Sequence, residues 1–242
     1  VNYFFEVWDN DMVNGSKKTK SSDYAFKKKS KKDNIAEKDQ VNEKLKSSLN
    51  NSANKAQELT KEIEELTKEI ITKKKIGWEE KQKAEEILKK QKEILKEIEE
   101  NKKLNNIQQK KQSELNPSIL EKQQQLKELM DNVIDEELKE LLEEFEELLN
   151  EDEKDKLKDL LDKLDDKNEG LEKELDRELE LFKQLEFEQK TEELIEEIQQ
   201  LKEEQEKLKN ETEDKKSSSE ELAKEQEDLL KKMEEVKKTL DK

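Results

Sequence analysis

Apolar and small residues recur at Leu45, Leu49, Ser52, Ala56, Leu59, Ile63, Leu66 and Ile70, alternately four and three apart. That alternation is the heptad repeat of a helix with one buried seam. The register runs on numerically to Ala84, Ile87, Gln91, Ile94 and Ile98, but a straight continuation would set Lys73, Gly77 and Glu80 in the seam. The pattern therefore predicts a turn at 73–78. The lysines of KKKIGW suit a helix C-terminus, Gly77 suits a stop, and Glu79 and Glu80 suit the first turn of the next helix. Helices of similar length on either side predict an antiparallel hairpin over 35–116.

Asn116-Pro117 marks the next corner, because proline disfavours helical geometry in the residue before it and suits the first helical position. One helix is expected to begin at Ser118 or Ile119, and its apolar set widens to Leu126, Leu129, Met130, Val133, Ile134, Leu138, Leu141, Leu142, Phe145, Leu148 and Leu149. A doubled stripe predicts burial against more than one neighbour, which means a bundle. The doubling resumes at Leu157, Leu160, Leu161 and Leu164 after Asn150-Glu151-Asp152, and Gly170 is expected to end that short helix. A three-helix node over 117–190 follows. From Phe187 the seam narrows to Leu194, Ile198, Leu201, Gln205, Leu208, Thr212, Lys215, Ser219, Leu222, Gln226, Leu229, Met233, Val236 and Leu240. This predicts a coiled-coil helix over 191–242. Its poor seam residues at Thr212, Lys215 and Ser219, and the capping-box pair Ser218 and Glu221, predict a weak point or turn at 214–219.

The first 27 residues have another period. Val1, Tyr3, Phe5 and Val7 alternate with Asn2, Phe4, Glu6 and Trp8, and Ser22, Tyr24 and Phe26 alternate likewise after an Asp/Asn/Gly turn. The expectation is a β-hairpin left over from an upstream sandwich domain, then a basic linker over 28–34. The fold class is thus all-α, long coiled-coil helices folded into antiparallel hairpins or a helical bundle, with a short residual β-hairpin at the N-terminus.

Composition sharpens this picture. Of 242 residues 48% are charged and 29% hydrophobic, with a mean hydropathy of -1.34, so seams rather than one large core must hold the helices. Residues 1–32 hold eight Lys against four acids, whereas the whole chain carries -17. Acidity on that scale argues against a nucleic-acid binder. With no Cys and no His, thiolate sites, the usual zinc ligand and the usual proton shuttle are missing. No apolar run approaches the roughly 20 residues that span a bilayer. The ends of the chain suggest a fragment, whose membrane association would come only through upstream segments absent from it.

FEVWDNDMVNGSKKTKS (Phe5 to Ser21) and ELDRELELFKQLEFEQK (Glu174 to Lys190) resemble segments of an uncharacterised bacterial family of large membrane-anchored envelope proteins. In that family an extracytoplasmic β-sandwich region precedes a long Gln/Glu/Lys-rich coiled coil. Met12 stands where the family usually has a glycine after DND. The resemblance implies a location on the extracytoplasmic side of a bacterial membrane, in the periplasm or envelope, and carries no activity.

Three places suggest chemistry. Asp9, Asp11 and Asn14, with Asn10, offer clustered hard oxygens for calcium, against the bland alternative of Asx turns between strands. Lys17, Lys18, Lys20, Lys27, Lys28, Lys29, Lys31 and Lys32 could meet an anionic surface or serve as a solvated linker. Arg177, the one arginine, shares a helix with Phe182 and Phe187 and suggests a partner-docking face, or else core packing with one ion pair. Paired carboxylates such as Glu143 and Glu147 lack the pocket that acid–base catalysis needs. The expectation is a non-enzymatic spacer or scaffold acting through helix association with a protein partner or with itself. The competing readings are a ligand-responsive binding module and a cytoplasmic tether or filament.

Overall fold

The computed structural model describes residues 1–10, 15, 17–25, 30–110, 116–149, 153–214 and 218–240. Four short strands, β1 (Asn2–Tyr3), β2 (Glu6–Trp8), β3 (Lys18–Lys20) and β4 (Tyr24–Ala25), precede six helices. These are α1 (Lys31–Thr72), α2 (Trp78–Lys110), α3 (Pro117–Asn132), α4 (Glu136–Leu148), α5 (Lys154–Asp214) and α6 (Ser219–Leu240). The chain divides into two compact units, Val1–Val41 and Asn42–Lys242.

In the first unit β2 pairs antiparallel with β3 (Val7 opposite Thr19), and β1 with β4 (Tyr3 opposite Tyr24), as two nested ladders of one ribbon. The return strand therefore starts at Lys18, earlier than the expected Ser22. Tyr3 stacks on Tyr24 at 5.6 Å between ring centroids, and Phe5 meets both edge-on. Helix α1 begins inside the expected 28–34 linker. Ser30 and Asp33 explain this with a reciprocal cap: the Asp33 N–H donates to Ser30 Oγ (3.0 Å) and the Ser30 N–H to Asp33 Oδ2 (3.2 Å).

The second unit is built from four antiparallel columns. On α1 and α2 every step of seven down one helix matches a step of seven up the other: Glu69 pairs with Lys83 (2.7 Å), Glu62 with Lys90 (2.5 Å) and Lys55 with Glu97. The expected hairpin is present. Its tip closes where Glu80, buried by the turn, accepts the Gly77 N–H (2.7 Å) and pairs with Lys73. A Cβ on Gly77 would lie 2.8 Å from Glu80 Oε2, so the stop residue is also the residue that admits the clasp. Helix α5 runs antiparallel to α1, from Lys154, which donates to the Lys73 carbonyl, through Asn168 against Thr60 and Ala56, to Lys46 against Glu186 (3.2 Å).

Helices α3 and α4 together form the fourth column. Lys102 on α2 pairs with Asp131 on α3 (2.6 Å), and Lys92 with Glu146 on α4. Across the other side Lys122 pairs with Glu188, and Lys167 with both Asp135 and Glu137 (2.6 Å each). The single helix expected from 118 to 149 is broken. Asp135 adopts extended backbone and accepts the Leu138 N–H (2.7 Å), starting a new helix in line with the old one. The expected corner at Asn116-Pro117 is present; α3 begins at Pro117, just before the expected Ser118 or Ile119, and Asn116 caps it, accepting the Ser118 N–H (3.1 Å). The expected break at 150–152 lies outside the described residues.

The second correction is Gly170, which does not end a helix. It sits exposed within α5, a helix of 61 residues in all that runs on to Asp214. A mid-helix glycine costs roughly 1 kcal/mol, whereas Leu164, Leu171 and Leu175 are each buried on either side of it. At about 1.5 to 3 kcal/mol per buried apolar side chain, packing wins. The three-helix node is accordingly the α3, α4 and α5 part of one larger bundle, with the buried residues of α1 to α5 in a single core.

Past the bundle α5 runs on, and α6 folds back along it. Gln205 and Gln226 exchange amide hydrogen bonds (3.2 and 3.3 Å), and Glu204 pairs with Lys232 (2.7 Å). The turn falls where Ser218 predicted it: Ser218 Oγ accepts from the Glu221 N–H (3.3 Å) and Glu221 Oε2 from the Ser218 N–H (3.1 Å). Lys215 lies outside the described residues.

Candidate functional site

The Asp/Asn loop is described only at its rim. Asp9 Oδ1 accepts the Lys17 N–H (2.9 Å) and the Asp9 N–H donates to the Lys17 carbonyl (3.0 Å), which closes the end of the β2–β3 ladder. Asp11 and Asn14 lie outside the described residues, and among the described residues no three potential metal ligands cluster. Of the lysine stretch, Lys18 pairs with Glu6 (3.4 Å), and Lys20 pairs with Asp23 (2.9 Å) and lies 3.8 Å from the Phe4 ring centroid. Lys27, Lys28 and Lys29 lie outside the described residues.

The Arg177 helix separates its three expected docking residues. Phe182 is in the bundle core, 2% exposed, while Phe187 is 72% exposed although the sequence pattern placed it at the start of a seam. Phe187 falls off the buried face, which α5 keeps past it: Leu175, Glu178, Phe182, Leu185 and Gln189 are buried in the bundle, and the face changes only before Leu208 of the later seam, which points at α6. Arg177 lines an open groove of about 440 Å³ between α3 and α5, with Leu129, Lys173, Asp176, Glu180, Leu181 and Gln184. No carboxylate among the described residues pairs with its guanidinium.

The feature that pattern reading missed is Glu178. It is 0% exposed, and neither carboxylate oxygen has a hydrogen-bond partner. Burial, with a smaller contribution from the Glu174 charge, pushes its pKa up to about 8. The α1–α5 and α3–α5 registers bring it level with Ser52 and with the turn 126–130 of α3, and the α2–α3 register brings Asn105 to the same height, its Nδ2 also unpartnered. The signal was present in the sequence: Leu171, Leu175, Glu178, Phe182 and Leu185 keep the four-three spacing, with a carboxylate inside it. Glu186 behaves differently. Burial pushes it upward, but Lys190 (3.0 Å) and Lys46 together hold its carboxyl below the usual range.

No described helix is long and apolar enough to cross a membrane. Comparison with family models, with curated proteins and with solved structures finds no match.

Proposed function

We propose that this chain is a non-enzymatic structural segment, a helical spacer and scaffold that acts through helix–helix association within an envelope protein. The observation that carries the reading is the continuity of α5. One helix serves first as a column of a closed bundle and then as the backbone of an arm whose seam is half covered. Such a part holds distance and offers an apolar face. The extracytoplasmic placement is supported by the resemblance of Phe5 to Ser21 and Glu174 to Lys190 to envelope proteins. It is also supported by the ribbon, where Tyr3, Phe5, Val7, Trp8 and Tyr24 stay exposed as in a sheet that other strands continue.

The test is replacement within the native protein in its own cell. Residues 42–242 are exchanged for an unrelated antiparallel bundle of matched length, and a tag reports the compartment. Retained function with the tag outside the cytoplasm is expected. Loss of function under a length-matched replacement would overturn the spacer reading, and a cytoplasmic tag would overturn the placement.

A further inference from the structure

The arm formed by the end of α5 and by α6 has one covered flank and one bare one. Leu208, Leu229 and Val236 form the buried line of the pair. On one side of that line the Glu204–Lys232 ion pair bridges the helices. Each of these residues immediately precedes a seam position, Gln205 and Met233. In an antiparallel helix pair equivalent heptad positions meet on the same side, as this bridge shows, so the positions that follow the buried line share the opposite side. There stand Ile195, Lys202 and Lys209 on α5 and Ala223, Leu230 and Lys237 on α6, beside Ile198, Met233 and Leu240. Ile195, Ile198, Leu230, Met233 and Leu240 are 44 to 59% exposed. This is half of a four-helix core.

We infer that a second copy of this chain covers that flank, placing two arms face to face about a two-fold axis parallel to the helices and completing a four-helix layer. The inference rests on the scaffold reading and names its partner. Charge decides the occupant. A two-fold parallel to the helices preserves height, so each α5 gains the partner's α6 as a second antiparallel neighbour. From the register set by Gln205 with Gln226 and Glu204 with Lys232, Lys202 then stands across from Leu230 of the partner subunit. Lys209 faces Ala223 of the partner subunit, and Ile195 faces Lys237 of the partner subunit. No two lysines oppose one another.

The next row outward is acidic. Glu206 and Glu213 lie on α5, and Glu220, Glu227 and Glu234 on α6. Each flank lysine of one copy thus reaches carboxylates of the other. Within a copy Lys202 and Lys209 have only long contacts, 4.0 Å to Glu206 and 3.8 Å to Glu213, so little must be broken. Space permits the arrangement as well. At about 100° per residue, Phe182, Leu185 and Gln189, which enter the bundle, lie on the far side of α5 from Ile195 and Ile198. The two bundles therefore point away from one another.

Sedimentation equilibrium of the intact chain, from about 1 to about 200 µM, reads the association. The expected result is a rise toward twice the 28.9 kDa chain mass. Ile198→Glu with Met233→Glu, both at exposed positions, should leave a monomer of unchanged circular dichroism and weaken association at least tenfold. In a protein without cysteine, mixing Lys202→Cys chains with Leu230→Cys chains should give an oxidised heterodimer that neither gives alone. A wild type that stays monomeric throughout would overturn the inference, whatever else covers the flank. So would a dimer that survives the double substitution or fails to cross-link. Either result leaves the scaffold reading to the replacement experiment, which does not depend on self-association.

Discussion

The bundle and the arm share one helix and one residue vocabulary, yet they bury it differently. In the bundle Leu45, Leu49, Ile63, Leu161, Leu164 and Leu175 are essentially inaccessible, and in the arm Leu208, Leu229 and Val236 are buried while Ile198, Met233 and Leu240 are about half exposed. The heptad pattern is equally regular in both. What differs is the number of columns: each seam residue of α1 or α5 meets neighbours on two sides, whereas in the arm one partner helix covers one side only. A repeat fixes which residues face inward, and the number of helices fixes how far inward they go.

The comparison breaks most sharply by cutting a hole in the bundle. Phe145 is 0% exposed, and Phe145→Ala should cost about 3 to 5 kcal/mol in urea denaturation, as truncation of a large buried aromatic does. A loss under about 1 kcal/mol would mean that α4 is not packed as described.

Glu178 gives the next largest effect, through pH. Its folded pKa of about 8 lies above its unfolded value near 4.5, so the folded chain holds the proton more tightly. The stability from this group is fully present below pH 4.5 and is lost as pH rises toward 8. The loss by pH 8 is on the order of 4 kcal/mol. Glu178→Leu should flatten that slope, with the gap between variant and wild type growing from pH 5 to pH 8. Parallel pH profiles for the two proteins would place the carboxylate in water.

Leu229→Ala sharpens the contrast from the other side. Its seam has one covering helix, so a loss of about 1 to 2 kcal/mol is expected, read as faster amide exchange in α6 with the bundle amides unchanged. Exchange rising equally in α2 would show that arm and bundle unfold together. The smallest effect should stabilise. Gly170 is exposed and helical, with nothing within 4 Å of where a Cβ would sit, and Gly170→Ala should add about 0.5 to 1 kcal/mol to the bundle's thermal stability. A destabilised variant would point to an unseen strain at that turn of α5.

Local signals with a strong physical basis were legible. Lys73 to Glu80 had to leave the seam, Pro117 could only open a helix, and Ser218 with Glu221 could cap one; all three corners are where the pattern put them. Signals that compete with packing were not. Gly170 carried a stop preference that the flanking leucines outweigh. Asp135 carried a cap hidden under an apolar run that continues through it from Val133 to Leu138. Phe187 fitted a spacing, but α5 turns its buried face between Gln189 and Leu208, and a count of intervals does not say toward which neighbour a face is turned. Glu178 was overlooked because a seam was read as a list of apolar residues, while the helix buries whatever occupies the position. Among the described candidate site residues Asp9, Arg177 and Phe187 are accessible, and Phe182 belongs to the core.

A chain written almost wholly in Leu, Glu and Lys faces a problem of degeneracy, since sliding one column by seven residues would match leucine to leucine again at little cost. Asn168 removes half of that freedom. Its Nδ2 donates to the Ala56 carbonyl (2.7 Å) and to Thr60 Oγ1 (2.8 Å) within the core. A slip of one heptad toward the start of α1 would set Ala53 where Thr60 stands and take the hydroxyl acceptor from a buried amide, at about 1 to 3 kcal/mol, whereas a slip the other way sets Thr67 there. A single asparagine therefore makes one alignment of α1 and α5 distinguishable from the near copy that offers it an alanine.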